Sequence, residues 1–241
     1  MNRDGGWGRN HAEPQRAKKG NRINAISELD LRIEKGEFLA LLGPSGSGKT
    51  TLLNLLGCLD RPTSGRVFVD AMDVSEKSEN ELSAIRARKI GFVFQSFNLM
   101  PMYSAAENVE LPMMTTRVPR AQRRQRAAKL LGRVGLSGRM QHRPDELSAG
   151  EQQRVAIARA LANNPPIILA DEPTGNLDTR TGGEIIGILR KLNRESGTTI
   201  VMVTHDERMA RYATRRLYLK DGCIVRAIKR AAKPSSAFSS P

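Results

Sequence analysis

The segment Gly43-Pro44-Ser45-Gly46-Ser47-Gly48-Lys49-Thr50 constrains this chain more than any other. It fits G-x-x-x-x-G-K-[ST], a loop whose glycines turn tightly and let successive backbone N–H groups approach phosphate oxygens. Its surroundings suit the same geometry. The apolar run Phe38 to Leu42 predicts a buried strand before the loop, and Thr51-Leu52-Leu53-Asn54-Leu55-Leu56 continues as a helix after it. That helix starts near Lys49 and adds the positive end of its dipole. Gly43 to Thr51 are therefore candidates for holding a nucleoside triphosphate, with Lys49 reaching the β- and γ-phosphates and the Thr50 hydroxyl ligating Mg²⁺. The loop is silent on what the energy does.

A second piece of chemistry lies downstream. Ile167-Ile168-Leu169-Ala170-Asp171-Glu172 is an apolar strand that ends in two acids, delivering a carboxylate to the sheet edge where open α/β folds bind ligands. Asp171 is placed to hold Mg²⁺ through water, and Glu172, one residue on, to polarise an attacking water.

The rest of the chain fits an alternating α/β plan. At 241 residues it can form one large domain, or a core with an insertion. Residues 1–20 read as a flexible basic arm, and 229–241, basic and then Ser/Pro/Ala-rich, as a disordered tail. Apolar alternation within Asn21 to Ile33 (Ile23, Ile26, Leu29, Leu31, Ile33) suggests strands, followed by Arg66 to Val69, Ile90 to Phe94, Pro166 to Ala170 and, last, Thr198 to Val203. Helices are expected from the Ser78/Glu81 capping box to about Arg88, and around Gly183 to Arg194. From about 96 to 164 no strong strand appears. Ala127, Leu130, Leu131 and Val134 instead mark one face of a basic helix, so this stretch reads as a helical insertion. A largely parallel sheet with helices on both faces follows.

Composition narrows the partners. Lys and Arg number 39 against 25 Asp and Glu, and the net charge of +14 suits phosphates, anionic membrane surfaces or nucleic acid. Aromatics at 4% leave few to stack on single strands, which disfavours nucleic acid. No run approaches the roughly 18 apolar residues of a spanning helix, and the first twenty residues lack the apolar centre of a secretory signal. Cys58 and Cys223 make neither a disulfide framework nor a metal cluster, which points to the reducing cytoplasm.

Further motifs carry a family resemblance. Leu147-Ser148-Ala149-Gly150-Glu151-Gln152-Gln153-Arg154-Val155-Ala156-Ile157-Ala158-Arg159-Ala160-Leu161 resembles the signature segment of ABC-transporter ATPases. Gln95 after Phe92-Val93-Phe94 resembles that family's Q-loop, Gly175-Asn176-Leu177-Asp178 its D-loop, and His205 after Val201-Met202-Val203-Thr204 its switch histidine. The similarity runs from about Gly20 to Val225. Gly57-Cys58-Leu59-Asp60-Arg61-Pro62, Glu107-Asn108-Val109 and His142-Arg143-Pro144 look most like the lipoprotein-release and macrolide-export branch.

The resemblance implies a P-loop NTPase (RecA-like) core over residues 21–228, with an antiparallel β subdomain and the α-helical subdomain at about 96–164. It implies that two subunits close head to tail on two ATP. Ser148, Ala149, Gly150 and Glu151 would then serve the γ-phosphate of ATP bound by the other subunit, with Asp178 and Gln95 contacting the site and Gln95 also the metal. Glu172 would orient water, and His205 would hold Glu172 and the γ-phosphate together. A separate membrane permease, met by the apolar stretch Ser96 to Ala106 (Phe97, Leu99, Met100, Met102, Tyr103), would place the ATPase peripherally on the cytoplasmic face of the inner membrane. A non-transport role, in cell division or on ribosomes or DNA, is the alternative; the absence of Asn-Lys-x-Asp weakens a GTPase reading. Three features depart from the family pattern. Ala149 replaces the usual Gly, Glu151 replaces the familiar Gln as is common in this branch, and the adenine-stacking aromatic expected roughly 25 residues before the loop is missing near Arg16 to Lys19, leaving Arg16 or apolar side chains to hold the base.

Overall fold

The computed structural model describes residues 25–229. The arm, including Trp7 and Arg16 to Lys19, and residues 230–241 lie outside the described residues. Strand β1 (Phe38–Leu42) has every side chain buried. Phe38, Ala40 and Leu42 enter one apolar core, while Leu39 and Leu41 enter the other. A strand buried on both faces needs helices on both sides of its sheet, which is why the run is continuously apolar rather than alternating. Helices α1 (Lys49–Leu56) and α2 (Glu79–Lys89) cover one face, through Leu52, Leu53 and Leu82. Helices α3 (Ala105–Thr115), α4 (Arg120–Arg133), α5 (Ala149–Ala160) and α6 (Thr179–Ser196) supply the other core, through Val109, Leu131, Ile157 and Ile186 among others.

Strands β4 (Ile90–Val93), β5 (Ile167–Asp171), β6 (Thr199–Val203), β7 (Arg215–Lys220) and β8 (Cys223–Lys229) complete a six-stranded sheet in the order β4-β5-β6-β1-β7-β8. All neighbours are parallel except β7 and β8. Thr198 to Val203 is therefore not the last strand. Arg215–Lys220 and Cys223–Lys229 escape a periodicity reading because they alternate with charges on a half-exposed edge. Lys229, expected to open the tail, pairs with Arg215 at the end of β8.

The predicted antiparallel part is small: β2 (Phe68–Val69) pairs with β3 (Met72–Asp73), and Arg66 and Val67 stay outside the ladder. Residues 25–33 form no strand, correcting the expected alternation there. Ile26, Leu29, Leu31 and Ile33 pack on the α1 side of the core, but the backbone contributes only isolated bonds, such as Ser27 N–H to Gly222 O at 3.1 Å. Apolar alternation records burial, and burial alone does not build a ladder. Helix α6 runs longer than predicted because Asp178 caps it, its Oδ1 accepting from the N–H groups of Arg180 and Thr181 at 3.0 Å.

In the helical insertion α3 lies beside α4 and α5. The loop before α3 is held by Asn108, a fully buried side chain. Its Oδ1 accepts from Met100 N–H at 2.7 Å, and its Nδ2 donates to the carbonyls of Met100, Tyr103 and Ser104 at 3.0–3.1 Å. Asn108→Ala would leave these backbone groups unpaired, a loss of about 1–3 kcal/mol. The expected outcome is a melting temperature lower by about 2–4 °C per kcal/mol and faster proteolytic cleavage between Ser96 and Ser104, measured by calorimetry and limited digestion.

Candidate functional site

Register decides where the chemistry collects. Leu41 and Asp171 both pair with Val203, and Val93 pairs with Ala170. The chain segments leaving β1, β4, β5 and β6 thus emerge at one edge of the sheet, carrying the phosphate loop, Gln95, Glu172 and His205 respectively. A cleft of about 510 Å³ opens there, lined by Ser45, Gly46, Gly48, Lys49, Thr50, Thr51, Glu172 and His205 together with Ala25 and Asp221.

The loop is built to leave its donors free. Gly48, with φ of 95°, precedes α1 and offers no side-chain cap, and no acid stands in the first turn. A Cβ on Gly48 would lie 2.2 Å from Ala25 O, so only glycine fits. Nothing lies within 4 Å of where a Cβ on Gly46 would sit, so the apex of the loop faces open space. Ser47 is buried, its N–H donating to Pro44 O at 3.3 Å. Lys49 is buried as well, and Nζ folds onto the loop, donating to Gly43 O at 2.9 Å and Pro44 O at 2.7 Å. The ammonium is thereby held at the loop instead of extending into solvent.

Glu172 takes a left-handed backbone conformation, φ 43°, and its N–H donates to Val203 O at 3.0 Å. Such strain is sustained only where the surroundings fix it. The result places Glu172 Oε2 3.0 Å from His205 Nδ1, the geometry in which a protonated Nδ1 donates to the carboxylate. Asp171 lies half-buried beside them. Burial, and then the neighbouring Glu172 charge, push its carboxyl up from the ordinary value, with Lys49 pulling the other way.

The remaining predicted residues stand apart from the cleft. Gln95 pairs with Asn176: Nε2 donates to Asn176 Oδ1 at 3.4 Å, and Asn176 Nδ2 donates to Gln95 O at 3.0 Å. Asp178 caps α6 and lines a second cavity of about 150 Å³, which Glu172 and His205 also border. The Ser148 to Glu151 segment lines neither. It starts α5 with a capping box: Ser148 Oγ accepts from Glu151 N–H at 3.3 Å, and Glu151 Oε2 accepts from Ser148 N–H at 2.9 Å. Ala149 is exposed, whereas Gly150 is buried so tightly that a Cβ would lie 2.6 Å from Thr181 Cγ2. These backbone bonds and the positive charge of Arg139, whose Nε sits 3.2 Å from Glu151 Oε1, hold the Glu151 carboxyl below its usual range.

Several contributors were not legible from motif spacing. Ala25 and Asp221 reach the cleft only through the fold. Half-buried Arg159, within the signature helix, donates to the carbonyls of Phe97 and Asn98, both at positive φ, and so holds the loop after Gln95. That loop exposes Met100, Met102 and Tyr103.

Comparison with known proteins agrees with this geometry. A family model described as ABC transporter matches residues 26–175. An uncharacterized ABC transporter ATP-binding protein of Methanocaldococcus jannaschii, MJ0796, is 53% identical over 211 residues, 86% of this chain and 90% of that one. The lipoprotein-releasing system ATP-binding protein LolD of Syntrophus aciditrophicus is 52% identical over 86% of this chain and 93% of its own. The macrolide export ATP-binding/permease protein MacB of Sodalis glossinidius is 51% identical over 84% of this chain, which spans 31% of that longer protein. Among solved structures, the dimeric post-hydrolysis state of MJ0796 bound to ADP and Pi superposes with a TM-score of 0.82 at 50% identity, covering 90% of this chain and 95% of that one. With its phosphate loop, acidic strand and signature helix in this order, the chain belongs to the ABC transporter family, as an ATP-binding subunit.

Proposed function

We propose that this chain binds and hydrolyses ATP as one half of a dimer that encloses two nucleotides, and that the closure drives a separate membrane permease of the lipoprotein-release or macrolide-export kind. One observation carries the reading: an uncapped helix start with a buried lysine shares a cleft with a paired Glu172 and His205. The first binds a polyphosphate and the second activates water beside it. The working unit is residues 21–229, extended by one beyond the expected boundary through the pairing of Lys229 with Arg215, with the helical subdomain at about 96–164.

Each residue has a physical task. Backbone donors from Gly43 to Thr51 and the α1 dipole receive phosphate oxygens. Lys49 exchanges its loop carbonyls for the β- and γ-phosphates, and the hydrogen bonds at Gly43 and Pro44 keep it poised until then. Glu172 orients the attacking water, with His205 fixing the carboxylate and reaching the γ-phosphate. The donor set also fits Mg²⁺: Thr50 offers a hydroxyl in the cleft, and Asp171 is a carboxyl whose ionised form is disfavoured until a cation relieves it. Thr50, Asp171 and Gln95 would hold the ion, Gln95 after leaving Asn176. When bound, Mg²⁺ neutralises charge building on the phosphate oxygens.

The helix end at Ser148 supports a shared site. Its cap satisfies the Glu151 N–H, and among the described residues the N–H groups of Ala149 and Gly150 carry no hydrogen bond. Because this end lies outside its own chain's cleft, it serves the nucleotide of an opposing subunit, with Asp178 near the junction. The exposed Met100, Met102 and Tyr103 receive the permease, which keeps the ATPase peripheral at the cytoplasmic face of the membrane. Among the described residues no helix is long and apolar enough to cross a membrane.

Glu172→Gln is expected to bind ATP normally while hydrolysis falls by about 10²–10⁴-fold; a phosphate-release assay reading near-parental turnover would remove the water-orienting role. Asp171→Asn is expected to lose Mg²⁺-dependent stabilisation by ATP, read by thermal shift with and without EDTA. Its metal-free form should melt no lower than the parent, because the raised carboxyl pKa means that the ionised group opposes folding at neutral pH. Ser148→Arg should leave monomer binding of ATP intact and abolish ATP-driven dimers, and light scattering showing normal dimers would argue against the shared site.

A further inference from the structure

The signature helix of this chain carries an acid, Glu151, in its first turn. Glutamine satisfies the same capping box, so what glutamate adds is a full negative charge at a helix end that must receive another anion. The α5 dipole draws the carboxylate in, and a γ-phosphate approaching the same end meets it. The carboxylate also stays ionised at neutral pH, since hydrogen bonds from Ser148 and the charge of Arg139 hold its pKa down.

Arg139 answers that charge. Glu151 Oε2 is occupied by Ser148 N–H and Oγ–H, both at 2.9 Å, and Oε1 is left for Arg139 Nε at 3.2 Å. Nη1 of the same guanidinium lies 3.0 Å from His142 Nε2, which steadies it on the other side. The backbone around Arg139 is fixed as well. Arg139 N–H donates to Leu136 O at 3.0 Å, and His142 N–H donates to Arg139 O at 3.1 Å. The loop is stitched to the start of α3, where Ala105 N–H donates to His142 O at 2.8 Å and Ala106 N–H to Met140 O at 2.9 Å. The backbone from which the guanidinium reaches Glu151 is thus fixed, and the His142 contact restrains the half-exposed side chain itself.

We propose that Arg139 is a positioning residue: by pairing with Glu151 it neutralises the acid in the first turn of α5 and keeps that helix end receptive to the γ-phosphate of ATP held by the opposing subunit. The inference rests on the shared-site reading given above. It assigns to a residue outside the family motifs the task of tuning how tightly the dimer closes.

The test uses the full chain carrying Glu172→Gln, with Mg-ATP-driven dimerisation followed by light scattering at low and high salt. Adding Arg139→Ala should weaken dimerisation roughly tenfold at low salt, since each of the two γ-phosphates then meets an uncompensated Glu151 and one exposed charge–charge contact is worth up to about fivefold. The loss should shrink at 0.5 M KCl because it is electrostatic, and Arg139→Lys should recover most of it. In a Glu151→Gln background, Arg139→Ala should change dimerisation by less than about twofold. Equal losses with and without Glu151→Gln would assign Arg139 a merely structural role and overturn the proposal, as would parental dimerisation of Arg139→Ala. Monomer ATP binding should stay at its parental value throughout and the melting temperature should fall by no more than about 2–4 °C, the worth of one exposed pair; a loss of monomer binding or a larger fall would count against it. If the Glu172→Gln parent itself stays monomeric with Mg-ATP, the shared-site reading fails first, and the inference falls with it.

Discussion

Parallel pairing of β4, β5, β6 and β1 in matched register is the constraint on which this structure depends. Because Leu41 and Asp171 both sit level with Val203, the phosphate loop, Glu172 and His205 leave the sheet side by side. A slip of one residue in β5 would turn Ala170 and Ile168 out of their core and carry Asp171 to the opposite face. The alternation of Phe38, Ala40 and Leu42 into one core and Leu39 and Leu41 into the other makes such a slip costly in either direction. Site geometry is thus held by the packing of apolar side chains that touch no ligand.

The helix starts divide into two kinds. Those of α2, α3 and α5 close on themselves through Ser-x-x-Glu boxes, and α6 closes through Asp178. Helices α1 and α4 have no side-chain cap, because Gly48 and Pro119 supply no acceptor, and of these two only the start of α1 lines the cleft. Donors left unpaired at a helix end must be hydrated or bound, so a glycine where α2, α3 and α5 carry serine leaves the start of α1 open to a ligand in the cleft. Helix α5 stands between the two: its cap is closed, among the described residues the N–H groups of Ala149 and Gly150 carry no hydrogen bond, and its acid is countered by Arg139.

The sequence makes short-range features legible. The loop from Gly43 to Thr50, the apolar strands β1, β5 and β6, and the capping boxes at Ser78 and Ser148 each depend on residues within a few positions of one another. What escaped depends on distant partners. The strands β7 and β8 form because an edge is available beside β1, and their charged alternation disguises them. The stretch 25–33 has strand-like alternation but finds no ladder among the described residues. Gln95 could be placed after a strand, yet its bond to Asn176 joins positions 81 residues apart. Gly150 could be assigned to phosphate by motif, whereas its lack of a Cβ is demanded by Thr181.

That last contact bears on how the site is completed. Thr181 lies in the first turn of α6, directly after the cap formed by Asp178, so Gly150 ties the start of the signature helix to the segment that follows Glu172. Asn176 in the same segment holds Gln95, and Arg159 at the far end of α5 holds the loop beyond Gln95. Any rotation of the helical insertion therefore pulls on both the acidic strand's exit and the loop that exposes Met100, Met102 and Tyr103. The start of α5 lines neither cavity of its own chain, and the contacts that hold it are the ones that reach the surface proposed for the permease. In the dimer proposed above, closure around ATP would reach the permease surface through these packed contacts of the helical insertion.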